Sequence, residues 1–260
     1  IALLTNITPD HLDRYGYQME RYIDSKMALF KNMNQQDAAI LHVEDPFSKT
    51  GLDRSPIQAS RYGISLEGKP SQGGYSDGDG LVFQVAGAQV TIPVAALTIQ
   101  GKHNLLNALG AGVAALLAGL SEDQLLSGYQ TFKNASHRME LVRVLDEVRY
   151  VNDSKGTNVG ATVAALQGLG QDRRLVLIAG GEGKGQDFSP LAAVVTRHTR
   201  AVVLIGRDAP LLRQALQGCG VPLIEAASML DAVRCGAEQA QAGDAVLLSP
   251  ACASFDMFDH

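Results

Sequence analysis

Residues 148–166 read VRYVNDSKGTNVGATVAAL. An apolar strand opens the stretch, an Ala-rich helical pattern closes it, and seven polar or glycine residues, 152–158, lie between. Strand, polar loop and helix in succession form the unit from which parallel sheets are wound. A turn alone needs two or three such residues. This run carries Asp153 and Lys155, the hydroxyls of Ser154 and Thr157, and the amides of Asn152 and Asn158. That is equipment for a charged ligand.

The same alternation continues toward the C-terminus. LVLIAGG (175–181), AVVLIG (201–206) and AVLLSP (245–250) are apolar strands with helical patterns between them, and MELVRVL (139–145) precedes the opening stretch. The pattern predicts an α/β domain over 135–260 with a Rossmann-like, doubly wound parallel sheet. Ligands of such sheets sit beyond the carboxyl ends of the strands. Three strand tips carry suitable residues: Asp153, Lys155 and Thr157; Glu182, Gly183 and Lys184; Ser249, Cys252 and Ser254. Two lysines and several hydroxyls on one edge suit carboxylate or phosphate oxygens. Any one tip, taken alone, reads equally well as an ordinary loop. Gly180–Gly185 (GGEGKG) is not a P-loop, because that motif needs Ser or Thr after the Lys and Gly185 stands there. Ser189-Pro190 is expected to cap the helix that follows.

Before residue 135 the signals differ. IALLTN (1–6) reads as a buried strand, and Thr8-Pro9-Asp10 as the cap, first residue and acidic first turn of a helix. Met19, Tyr22, Ile23, Met27 and Phe30 recur at helical spacing over 18–31, and AAILHV (38–43) is a short buried strand. Residues 56–100 read as a small antiparallel sheet built from YGISLEG, GLVFQVAGAQVTIP and LTIQG, with SQGGYSDGDG (71–80) a mobile loop inside it. Residues 104–118 form a helix buried nearly all round. Ser121-Glu122-Asp123-Gln124 is a capping box opening a helix that ends near Phe132. The domains are expected at 1–134 and 135–260.

Several residues here read two ways. Lys26 on its helix is by residue chemistry a solvated lysine, and His11 a helix-start residue. Asn104 and Asn107 share a helix face and could bond a base or phosphate, or Asn104 could simply cap the helix. Arg138 is a surface arginine, or a clamp for a bound ligand.

The chain has 260 residues, 46% hydrophobic and 19% charged, with net charge −5. No Lys/Arg run is present, so no nucleic-acid partner is expected. No apolar stretch reaches membrane-spanning length and no secretory signal is visible, so no membrane partner is expected and a cytoplasmic location is. Cys219, Cys235 and Cys252 lack disulfide or zinc spacing and read as reduced, buried thiols. The sequence opens on Ile1 inside an apolar run and stops at His260, where a helix should follow a strand, so it reads as a fragment with a further aromatic expected just beyond.

In order, TNITPDHLDRY, YIDSKMALF, GKHNLLNALGAG, SHRMELV, NDSKGTN, GGEGKGQDFSPL and LSPACASFD resemble the Mur ligase family across essentially the whole chain. NDSKGTN and GGEGKGQDFSPL resemble its D-glutamate-adding branch, and the DNPR motif of the diaminopimelate-adding branch is absent. The resemblance implies most of a central ATPase-like domain followed by a C-terminal ligase domain. It implies that ATP phosphorylates the carboxylate of UDP-N-acetylmuramoyl-L-alanine and that the amine of D-glutamate attacks the acyl phosphate, in peptidoglycan precursor synthesis. It assigns magnesium to His11 and to a carbamylated Lys26, adenine to Asn104 and Asn107, ATP phosphates to Arg138 and ribose to Asp153. It assigns D-glutamate to Lys155, Thr157, Lys184 and Ser254. The family's P-loop and UDP-binding domain do not occur in these residues, so the fragment is expected to be inactive alone. A folylpolyglutamate-type amide ligase, or a module that binds nucleotide or amino acid without turnover, are the alternatives.

Overall fold

The computed structural model describes residues 1–99, 101–171 and 174–258. The chain divides into two compact units: residues 1–8 with 15–133, and residues 9–14 with 134–260. Each contains a six-stranded sheet.

In the first unit the strands are β1 (Ala2–Leu4), β2 (Ala38–His42), β3 (Ser60–Ser65), β4 (Gly73–Ser76), β5 (Gly80–Val85) and β6 (Ala88–Pro93), side by side in that order. The first four run parallel, and β4, β5 and β6 are antiparallel. The antiparallel pairing expected here holds for β4–β6, but the expected separate small sheet does not exist: β3 pairs in parallel with β2 and β4, so the sheet is continuous. The presumed loop 71–80 contains β4, whose glycines allow a close approach: a side chain at Gly73 (φ 124°) would overlap the Gly63 carbonyl. Leu97–Ile99 form no strand, and Gln100 lies outside the described residues.

Helices α1 (Met19–Met27) and α2 (Pro46–Arg54) pack on each other. No α-helix starts at Pro9. His11 takes φ 52°, outside the right-handed helical region, and only a short turn, Leu12–Tyr15, follows. Helix α3 (Lys102–Leu117) lies across β2–β5, its Ala108, Leu109 and Val113 meeting Ile40, Ile64, Leu81 and Phe83. Helix α4 (Glu122–Thr131) begins with the expected capping box, Ser121 and Gln124 bonding each other's backbone N–H. Its Tyr129 hydroxyl donates to the Ala108 carbonyl of α3 at 2.7 Å, and burial raises the phenol above its ordinary value.

The second unit has strands β7 (Glu140–Leu145), β8 (Val148–Asn152), β9 (Leu175–Gly180), β10 (Thr199–Ile205), β11 (Leu223–Glu225) and β12 (Ala245–Leu248), ordered β11-β10-β9-β12-β8-β7. All pairs are parallel except the β7–β8 hairpin at one edge. Helices α5 (Val159–Leu169), α6 (Leu191–His198) and α7 (Ala209–Leu216) cover the face carrying Leu175, Leu177, Val202, Leu204 and Leu247. Helix α8 (Met229–Gln239) packs on the face of Val176, Ile178, Val203 and Val246. Both faces of β9 are covered, which is why all six of its residues are buried and its sequence does not alternate. This is the doubly wound architecture expected from the pattern. Ser189 does not cap α6: Pro190 stands at that position and the Ser189 hydroxyl bonds Asp187 at 2.6 Å.

Candidate active site

Strand β12 lies between β8 and β9 and runs parallel to both, so the loops leaving these three strands emerge on one edge. They are laced together by backbone hydrogen bonds. Ala251 N–H donates to the Gly156 carbonyl (2.9 Å), while Glu182 and Ala253 exchange two bonds (2.8 and 2.9 Å). Asp208 N–H, after β10, donates to the Gly181 carbonyl at 2.9 Å. Gly180 (φ 132°) and Gly181 (φ 128°) make this approach possible, since a side chain at either would overlap the Ile205 or Ala253 carbonyl.

Each sequence-picked residue has a definite place. After β8, Asp153 is buried: its Oδ1 accepts from Met139 N–H (3.2 Å) and its Oδ2 from the Ser249 hydroxyl (2.8 Å). Lys155 is exposed and Thr157 half-buried. Asn158 caps α5, accepting from Ala161 N–H at 2.9 Å. After β9, Lys184 sits at φ 54° with its side chain only 10% exposed, its ammonium 3.2 Å from Asp10 Oδ1. Asp10 also accepts from Asn158 Nδ2 (3.3 Å) and from His11 N–H (2.9 Å). Asp10 was read as a first-turn helix acid; it instead ties the 9–14 segment to the Lys184 loop. His11 Nε2 lies 3.6 Å from Asp10 Oδ2 with 41% of the ring exposed. After β12, Ser254 is exposed and Cys252 buried. Burial, with help from Asp208 and Asp256, pushes the Cys252 thiol up to about 12 against a smaller pull from Lys184. Arg138 is exposed at the start of the unit.

In the first unit, Lys26 is exposed with its ammonium 5.1 Å from the Tyr22 ring centre. Asn104 and Asn107 lie in the first turns of α3, Asn107 exposed. Gly101 (φ 96°), not Asn104, occupies the N-cap position, so the simple capping reading of Asn104 is set aside. The three cysteines are free; Cys235 is half-buried rather than buried.

The sequence reading passed over Gln186 and Asp208. Asp208 stands at the N-cap position of α7 yet makes no cap bond there; its carboxylate accepts from Gly183 N–H at 2.6 Å. An Asp just before a helix is normally read as a cap, so its outward reach leaves no sequence signal.

Residues 1–115 match the Mur ligase middle domain and residues 137–252 the Mur ligase glutamate ligase domain. This chain belongs to the Mur ligase family. It is 44% identical to the UDP-N-acetylmuramoylalanine–D-glutamate ligase of Polaromonas sp., with 100% of this chain and 48% of that protein aligned. It is 43% identical to the ligase of the same name from Albidiferax ferrireducens, with 100% and 56% aligned. The chain thus spans about half the length of these curated relatives. Among solved structures it is similar to MurF from Acinetobacter baumannii (TM-score 0.75, 16% identity, 96% of this chain and 56% of that one). It is also similar to a Mycobacterium tuberculosis folylpolyglutamate synthase (0.70, 18%, 96% and 61%). At those identities the Mur ligase fold is what is shared. No described helix is long and apolar enough to cross a membrane.

Proposed function

We propose that this chain supplies the central and C-terminal parts of an ATP-dependent ligase that joins D-glutamate to UDP-N-acetylmuramoyl-L-alanine, in peptidoglycan precursor synthesis in the cytoplasm. The observation that carries the reading is the shared strand edge. Lys155 and Thr157, Lys184, and Ser254 lie on loops of three adjacent parallel strands, and the relatives named D-glutamate ligase align over all of it. An acidic amino acid presents two carboxylates, and two ammonium groups with two hydroxyls are suitable donors for them. A carboxylate is a poor electrophile until one oxygen becomes a leaving group, which is what phosphorylation by ATP provides. Holding the glutamate carboxylates would aim its amine at the acyl phosphate.

For the nucleotide, the reading gives Asn104 and Asn107 the adenine and Arg138 the phosphates. Asp153 is given the ribose, although both of its oxygens are already engaged within the chain. Magnesium characteristically keeps waters and takes phosphate oxygens with one or two carboxylates. Among the described residues no three His, Cys, Asp or Glu side chains gather into a cage, so the ion would arrive with ATP. His11 offers an imidazole, and Lys26 would offer a carboxylate only as its carbamate. When bound, the ion would neutralise charge on the transferring phosphoryl group. Mass spectrometry of the intact chain, showing or lacking the mass of one carbon dioxide on Lys26, tests that assignment.

Titration of D-glutamate onto the ADP-loaded chain tests the reading. Saturable binding to the wild type, with at least a tenfold loss in Lys184→Ala, is expected. Equal binding by both would overturn it. A folylpolyglutamate-type ligase would prefer an L-glutamyl acceptor, so titration with L-glutamate separates the two amide-ligase readings.

A further inference from the structure

One side chain touches all three loops of the site. Gln186 Oε1 accepts from Val159 N–H (3.1 Å) at the start of α5, just after the Lys155–Asn158 run. Its Nε2 donates to the Gly183 carbonyl (2.9 Å), next to Lys184, and to the Ala251 carbonyl (3.4 Å) on the loop that leads to Ser254. Gly183 is held on its other side as well, through its N–H to Asp208. Gly183 is therefore held at both its N–H and its carbonyl, and Lys184 next to it takes a left-handed conformation that an L-residue adopts at a cost.

We infer that Gln186 is a positioning residue for the amino-acid site: it sets the spacing between Lys184, the Lys155–Thr157 run and the Ser254 loop. The backbone bonds between the loops join neighbours in pairs, whereas the Gln186 amide, among the described residues, is the side chain that bonds to all three. An amide is the fitting chemistry. It must accept from one N–H and donate to two carbonyls, which a carboxylate cannot do and a lysine cannot do. Gln186 is not placed to contact substrate; it acts through the residues it fixes. The inference deepens the D-glutamate reading and rests on it.

The test uses Gln186→Glu, which keeps length and the acceptor but sets a carboxylate against two carbonyl oxygens, and Gln186→Ala, which removes all three bonds. Amide hydrogen exchange on the 260-residue chain reads the brace directly. In both variants melting should remain cooperative, and loops 153–159 and 182–186 should exchange at least tenfold faster, with β9 and β12 unchanged. D-glutamate titrated onto the ADP-loaded chain should bind about tenfold more weakly in both variants, while ADP binds as in wild type. Loop exchange within twofold of wild type in both variants would overturn the brace. Faster exchange with unchanged D-glutamate affinity would overturn its role in the site. If Lys184→Ala also left the affinity unchanged, the D-glutamate reading itself would fail, and the exchange result would still decide the brace. A variant that loses cooperative melting counts against a local role, since a residue that only sets loop spacing leaves the core intact.

Discussion

A buried carboxylate that accepts from two chain donors does structural work whatever else it does. Asp153 links the starts of β7 and of the loop after β12, through Met139 N–H and the Ser249 hydroxyl. Replacing it with Ala strands both donors, so Asp153→Ala should cost about 2–3 kcal/mol in urea unfolding. A loss under about 0.5 kcal/mol would show that water or other groups satisfy those donors. Cys252 makes a second prediction at this scale. Its thiol is held at about 12, above the ordinary 9.0, so the unfolded chain releases this proton first. Its contribution to stability is whole below pH 9 and is lost as pH rises from there through about 12. Iodoacetamide at pH 8 should leave Cys252 unlabelled in the folded chain and label it after denaturation, as peptide mass mapping would show.

At the scale of elements, close helix packing rests on small residues. Gly112 of α3 lies against the Phe83 ring and the Tyr129 hydroxyl, where an added methyl would collide with both. Gly112→Ala therefore sets improved helix propensity against overpacking, and the collision should win by about 1–3 kcal/mol in thermal melts. Ser121→Ala, at the capping box of α4, should cost about 1 kcal/mol. The elements also explain what could be read beforehand. Strands β9, β10 and β12 were legible because cover on both faces demands unbroken apolar runs. The capping box was legible because its chemistry is local. Strand β4 (GGYS) was not, because its glycines answer to a neighbouring carbonyl rather than to a pleated surface. Gln186 was illegible for the same reason at longer range: its partners lie 27, 3 and 65 residues away.

For the molecule as a whole, the division of labour follows the two sheets. The first unit joins parallel and antiparallel strands into one sheet under α3, and the second carries helices on both faces of a largely parallel sheet. That the three loops emerge on one edge was foreseeable because adjacency of parallel strand tips is a general property of such sheets. The segment 9–14, which belongs with the second unit, was not, because nothing in TPDHLD announces a partner 174 residues away. These 260 residues hold no P-loop, so the isolated chain should release no phosphate from ATP above background, with or without D-glutamate, in a coupled phosphate assay. Sustained D-glutamate-dependent release would contradict this.

On the proposed role of Lys184 in holding a carboxylate, its pairing with Asp10 makes it an occupied berth. An arriving anion must first evict a resident carboxylate that is tethered and never diffuses away. Monovalent bystanders such as acetate should fail at that exchange, whereas a dicarboxylate that gains a second anchor can succeed. Asp10→Asn should thus admit acetate as a competitor while relaxing the preference for dianions, an outcome that competition titrations would register as lost discrimination.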